Sequence, residues 1–278
     1  MTTKRKVFST ILIVVIAVVA FLAVFPLLAL VVSSFRPSSE LMRNGITLAI
    51  SLDQLNFSNY AYIFTQSGNY WQWYVNSIFI SALTIVLSLF FSSMVGYALA
   101  VYQFRGRNTI FILVLLILMV PFEILMLPLY RLMTTLGLID SYLAVILPMV
   151  VAPVAVFFFR QYAVGLPKEL MESARIDGCT EYGIYYRIMA PLMLPSFAAM
   201  AILQGLASWN NFLWPLVVLR SNNMFTLPIG LATLLTPYGN NYDVLIVGSV
   251  MTVIPVIVLF LFFQRYFISG LTVGGVKG

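Results

Sequence analysis

The run from Val7 to Val32 contains no charged side chain, and five more long, charge-poor apolar runs follow it. Backbone N–H and C=O groups in hydrocarbon must be satisfied within the segment, so each such run folds as a helix of about 20 residues. This one feature sets the class: an all-α, polytopic membrane protein with about six spans. The spans are expected at about 8–33, 74–102, 109–128, 141–159, 194–218 and 244–263. Trp71 and Trp73, just before the second span, suit a membrane interface. The first run follows Lys4-Arg5-Lys6 and carries large residues throughout. A signal peptide has an apolar core of only about 7–15 residues, so this run is expected to stay as the first span.

Composition agrees. Hydrophobic residues make up 62% of the 278 and charged residues 9%, against about a quarter charged in a soluble domain. The formal charge is +6, and its placement carries the information. Six spans put both termini on one side. With that side inside, eleven basic residues are cytoplasmic (Lys4, Arg5, Lys6, Arg105, Arg107, Arg160, Lys168, Arg175, Arg187, Arg265 and Lys277). Four remain outside: Arg36, Arg43, Arg131 and Arg220. The positive-inside bias therefore predicts cytoplasmic termini. The net charge reads as topology, not as affinity for nucleic acid.

Several chemistries are excluded. The chain has no histidine, so no Ser–His triad and no His-ligated metal or haem site can form. Cys179 is the only cysteine, which rules out an intrachain disulfide. No GxxxxGK[ST] sequence is present, so nucleotide is not bound through a P-loop. No metal or cofactor is expected on this chain.

The loops are unequal. Long outer loops are expected at about 34–73 and 219–243, and the inner loop at about 160–193 is the most charged segment. Within that inner loop, Pro167 suits the first turn of a helix reaching to Asp177. Leu170, Met171 and Ala174 share one face, and Ser173-Ala174 leave room for another protein to approach the backbone. Gly178 is a C-cap candidate and Thr180 an N-cap candidate. In the helix that follows, Tyr182, Tyr185, Tyr186 and Met189 recur at helical spacing. On physics alone, this helix–glycine–helix unit is either an ordinary surface loop or a docking element.

Glu172-Ser173-Ala174, Gly178, Ile188 and Pro191 resemble the EAA loop of ABC importer permeases, with Ser173 at the middle alanine position and Ala190 where a leucine is usual. Trp209-Asn210-Asn211-Phe212-Leu213-Trp214-Pro215-Leu216 resembles a stretch of carbohydrate-type permeases. Ser33-Ser34-Phe35-Arg36-Pro37-Ser38 and the ending Gly270–Gly278 look like segments of the maltose-type subunits. The resemblance implies a type I importer permease forming one transmembrane domain over 1–278. It implies that Glu172, Ser173, Ala174, Asp177 and Gly178 couple to an ATPase, and that the tail with Thr272, Gly274 and Lys277 reaches toward the ATPase interface. It further implies a second, different permease subunit, two ATP-binding subunits that hold ATP and Mg²⁺, and an external substrate-binding protein. The substrate would be a sugar or oligosaccharide.

Polar residues in the spans are candidates for the substrate path. Glu123 lies between Pro121 and Pro128. It is either an acceptor for a polar substrate or an interfacial group, reaching water or pairing with Arg131. Asn76, Asn210 and Asn211 offer paired donors and acceptors to sugar hydroxyls, or join helices to one another. Two other classes compete. An ion-coupled secondary transporter commonly uses intramembrane carboxylates or histidines, and the spans hold only Glu123. A membrane-embedded enzyme would have little chemistry available.

Overall fold

The computed structural model describes residues 3–37, 57–65, 68–236, 239–240 and 242–273. It is helical apart from a two-residue antiparallel ladder, Leu235–Thr236 with Gly239–Asn240. Among the described residues four helices are long and apolar enough to cross a bilayer singly: α1 (Thr3–Ser34), α3 (Tyr70–Val101), the broken helix Tyr142–Val164, and α13 (Tyr242–Val273). Two more crossings exist if each of two bent pairs counts as one. The short helix α2 (Ser58–Thr65) lies within the expected first outer loop, whose residues 38–56 fall outside the described ones.

The expected third span is two helices, α4 (Arg107–Leu118) and α5 (Phe122–Thr135), bent by 106°. Pro121 separates them; it has no N–H to continue the helical ladder. The fourth comprises α6 (Tyr142–Ile146), a 3₁₀ turn at Leu147–Met149 and α7 (Pro153–Val164). Next come α8 (Glu169–Ile176) and α9 (Glu181–Leu192). Helix α9 passes through a π turn at Tyr185–Met189, immediately before Pro191, which cannot donate backward. The expected fifth span stops early: α10 (Leu194–Trp209) ends at Asn210, and α11 (Leu213–Val218) follows. The expected outer loop at 219–243 is not irregular throughout, for it holds α12 (Leu227–Thr233).

Contacts group the described residues into two units, one drawn from Met1–Tyr70 and Leu231–Ile254, the other from Trp71–Gly230 and Pro255–Gly278. In the first, Asn59 Nδ2 donates to the carbonyls of Ser34 (3.1 Å) and Arg36 (2.8 Å), tying α2 to the end of α1. From Phe8 to Phe25 the side chains of α1 are exposed, as suits a helix against lipid.

The second unit has two cores along α3. One gathers Tyr97, Phe159, Met171, Ile184, Tyr185 and Met189. The other gathers Ile80, Ala144, Ile146, Trp214 and Ile229, with Trp214 Nε1 donating to the Ala144 carbonyl at 3.0 Å. At Gly96 helices α3 and α7 nearly touch. A Cβ there would lie 2.7 Å from Phe159 Cβ and 2.8 Å from the Val156 carbonyl oxygen.

Candidate functional site

The segment between α7 and α10 folds as local chemistry dictates. Helix α8 carries Glu169 and Glu172 in its first turn and Arg175 in its last, charges that complement the helix dipole. It ends in a Schellman arrangement. Gly178 takes φ +78°, its N–H donates to the Arg175 carbonyl (3.1 Å), and the Cys179 N–H donates to the Ala174 carbonyl (3.0 Å). Thr180 then caps α9, its Oγ1 accepting from the Gly183 N–H at 3.2 Å. Thus the helix–glycine–helix unit is present with both predicted caps.

An ion pair closes the turn. Arg175 Nε donates to Glu181 Oε1 at 2.7 Å and its second nitrogen to Oε2 at 3.2 Å. Tyr102, just beyond α3, donates its hydroxyl to the same Oε2 at 2.8 Å. These bonds hold the Glu181 carboxyl below the usual carboxylate range, the Arg175 bond first and the Tyr102 bond second. Burial, and then the Glu181 contact, push the Tyr102 hydroxyl well above its ordinary value. Neither Tyr102 nor Glu181 stands out in the sequence. The one hint is a carboxylate directly after the cap residue Thr180.

The two faces of α8 differ. Met171 and Ala174 are buried, and Tyr97 donates its hydroxyl to Met171 Sδ at 3.5 Å. Ala174 is 4% exposed, so its small side chain serves the approach of α8 to this chain's own core and does not face outward. Glu172, Ser173, Ile176 and Asp177 are exposed. Ile176 is 86% exposed, an apolar side chain at the end of the helix with almost no cover. In α9 the expected tyrosine face is split: Tyr185 and Met189 are buried, whereas Tyr182 and Tyr186 are exposed. Helical spacing puts Tyr182 and Tyr186 on one side of the stripe and Tyr185 and Met189 on the other, and only the second side meets the core. Between the end of α3 and this segment lies a cavity of about 340 Å³ walled by Tyr97, Tyr102, Tyr182 and Tyr185.

The candidates in the spans separate. Asn76 is 2% exposed and its amide is fully used. Nδ2 donates to the carbonyls of Asn223 (2.8 Å) and Phe225 (2.9 Å); Oδ1 accepts from Gln72 (2.8 Å) and Tyr142 (2.7 Å). It is a structural staple for the 222–227 segment with no capacity left for a sugar. Glu123 is exposed in the first turn of α5, at the break after Pro121, and no ion pair joins it to Arg131 among the described residues. Asn210 caps the end of α10, its Nδ2 donating to the Leu206 carbonyl at 3.0 Å. Asn211 sits half-buried at the break before α11. Glu123 and the Asn210-Asn211 pair thus both lie where a helix is interrupted. In the tail, Thr272 lies in the last turn of α13, and Gly274 and Lys277 lie outside the described residues. Among the described residues no cluster of Cys, Asp or Glu is placed to hold a metal ion.

Comparison with known proteins gives a consistent pattern. Residues 88–273 match the family described as "Binding-protein-dependent transport system inner membrane component". The chain is 70% identical over 278 residues to the arabinooligosaccharides transport system permease protein AraQ of Halalkalibacterium halodurans, covering 99% of this chain and 100% of the relative. It is 63% identical over 259 residues to AraQ of Bacillus subtilis, covering 93% and 92%. Among solved structures, a chain of a bacterial ABC transporter involved in import of the acidic polysaccharide alginate shares the fold. The TM-score is 0.83 at 22% identity, covering 96% of this chain and 99% of that one.

Proposed function

Because the chain belongs to the family of binding-protein-dependent transport system inner membrane components, we propose that it is one of two different permease subunits of an ATP-driven importer for arabinose-containing oligosaccharides. The substrate class rests on full-length identity to relatives that carry that name. ATP and Mg²⁺ belong to two separate ATPase subunits, and the sugar arrives on an external binding protein. The whole chain acts as a single transmembrane permease domain. Both termini are cytoplasmic, in keeping with the eleven-to-four distribution of basic residues.

One observation carries the coupling part of this reading. Helix α8 is clamped to its own chain by Met171 and Ala174 while it turns Glu172, Ser173, Ile176 and Asp177 outward. A helix held on one face and presented on the other can pass a partner's movement into the spans behind it. The Arg175–Glu181–Tyr102 chain of bonds links that helix to the end of α3. Gly178 supplies the backbone turn. Thr272, Gly274 and Lys277 extend the ATPase contact from the tail. Glu123, Asn210 and Asn211, at the helix breaks, offer hydrogen bonds to sugar on its way through.

The test is uptake of labelled arabinotriose by cells lacking the gene, with and without the gene restored on a plasmid. Uptake that returns with the gene and needs the binding protein supports the proposal. Uptake of arabinotriose that is equal with and without the gene contradicts the substrate assignment.

A further inference from the structure

Helices α4 and α7 meet at their cytoplasmic ends in a basic cluster with no acidic partner among the described residues. Arg160 lies with its guanidinium carbon 3.6 Å from the centroid of the Phe111 ring. Phe157 stacks near-parallel to the same ring, at 6.2 Å and 8°. Arg160 Nε is buried and has no hydrogen-bond partner among the described residues. A buried donor left unmade is costly. Arg107, in the first turn of α4, lies within electrostatic range of Arg160. Its own bonds are long, 3.4 Å to the Tyr102 carbonyl and 3.5 Å to Asn108. Arg105 stands exposed two residues earlier.

The surroundings narrow the counterion. A basic residue opening a helix is unfavourable against the dipole unless an anion is near. Helix α4 opens on Arg107 with no side-chain cap and no acidic residue in its first turn. The helix has no buried residue, and Ile112, Leu113, Leu116 and Ile117 are all exposed along it. An anion at this place therefore has an apolar wall running away from it into the membrane.

We propose that Arg107 and Arg160 bind the phosphate of an anionic phospholipid of the cytoplasmic leaflet, whose acyl chains lie along α4. Charge complementarity selects the headgroup, since three arginines face no acid. The exposed apolar length of α4 selects a lipid over a soluble anion. Arg160 is held in place by the Phe111 ring and by the close approach of α7 to Gly96. The site is thus preorganised and is not a pair of free surface side chains. This inference rests on the proposed orientation, which puts these arginines at the cytoplasmic face.

The experiment uses the whole importer, ATPase subunits included, purified and examined by native mass spectrometry after exchange into phosphatidylglycerol or phosphatidylcholine. Wild type is expected to retain phosphatidylglycerol and to lose phosphatidylcholine, with retention falling as salt is added. Arg107→Gln with Arg160→Gln should weaken retention about thirty-fold, from the contribution of each basic residue near an anionic lipid. Arg107→Lys with Arg160→Lys should keep most of it, which guards against a variant that fails to fold. Equal retention of both lipids by wild type, or unchanged retention in the double Gln variant, overturns the proposal. So does lipid held by the permease alone and displaced when the ATPase is added, for the patch is then a protein contact. Loss of sugar uptake in every lipid, with phosphatidylglycerol still retained selectively, contradicts the proposed function and not this site.

Discussion

Arg175 and Glu181 close the turn between α8 and α9 with two bonds, Nε to Oε1 at 2.7 Å and the second guanidinium nitrogen to Oε2 at 3.2 Å. The pair is nearly half exposed, so its worth in stability is about 0.2–1 kcal/mol. Its consequence is mechanical: Tyr102 shares Glu181, so the turn cannot swing without pulling on the end of α3. Glu181→Gln should leave the thermal midpoint within a few degrees of wild type but lower sugar uptake severalfold. Thermal unfolding of the purified complex beside an uptake assay checks both. Unchanged uptake would remove this pair from the coupling path.

The same pair predicts a pH dependence. The folded Glu181 carboxyl titrates below the ordinary carboxylate range, because Arg175 and then Tyr102 stabilise its charged form. Its contribution is therefore complete above the unfolded value and is lost as pH falls through the lowered folded value. Cys179 is exposed beside Gly178 and is the chain's only cysteine, so a nitroxide placed there reports on the turn. Its mobility should stay low at neutral pH and rise only in acid below the ordinary carboxylate range. In Glu181→Gln it should already be high at pH 7 and respond little to acid.

Gly178 and Gly96 should fail for different reasons. At Gly178 an added Cβ meets no atom within 4 Å, but φ is +78°, so Gly178→Val carries a backbone penalty of about 1–2 kcal/mol. Gly178→Asn, which tolerates that region better, should be milder. At Gly96 the φ is ordinary and the obstacle is backbone of α7, so Gly96→Leu must separate two helices. Overpacking of this kind costs typically about 1–3 kcal/mol. Gly96→Leu should lower the thermal midpoint of the membrane-inserted protein more than Gly178→Asn does. The reverse order would contradict the packing described.

Asn76 and Asn211 offer a sharper contrast. Asn76→Leu strands two backbone carbonyls and the Tyr142 hydroxyl, and each buried group left unsatisfied costs about 1–3 kcal/mol. The variant should be poorly stable, with uptake falling in step with the amount of folded protein. Asn211→Leu and Glu123→Gln should leave stability near wild type and raise the sugar concentration needed for half-maximal uptake. Unchanged transport kinetics in both would take the helix breaks out of the substrate path.

The spans and the helix–glycine–helix unit were legible because their causes are local. Apolar runs, Gly178 and Thr180 each act within a few residues of themselves, whereas Pro167 lies just before α8, whose N-cap is Lys168, and not in its first turn as expected. What was not legible depends on distant partners. Asn76 reads as a free amide until Asn223 and Phe225, some 147 and 149 residues away, arrive to accept its hydrogens. Ala174 and Met171 mark one face of α8, but partners on other helices, among them Tyr97 and Phe159, determine that this face points inward. The tyrosine spacing in α9 predicts one stripe, and only its Tyr185–Met189 side meets the core that Tyr97 and Phe159 bring from other helices. The bend at Pro121 is signalled by the proline, whereas its 106° angle is set by packing.

The central claim is that the outward face of α8 docks on an ATPase subunit, and Ile176 tests it most directly. Its side chain is 86% exposed and makes almost no contribution to this chain's own core. Ile176→Asp should therefore leave expression, membrane insertion and thermal stability of the permease unchanged. In a buried interface, an apolar anchor replaced by an unpaired charge costs several kcal/mol. The measurement is recovery of the ATPase subunit through an affinity tag on the permease, with Asn223→Asp, at an exposed position between α11 and α12 outside the spans, as the control for charge. The account predicts that Ile176→Asp loses nearly all of the ATPase and abolishes uptake, with insertion intact. ATPase recovery and uptake at wild-type level in Ile176→Asp would contradict it.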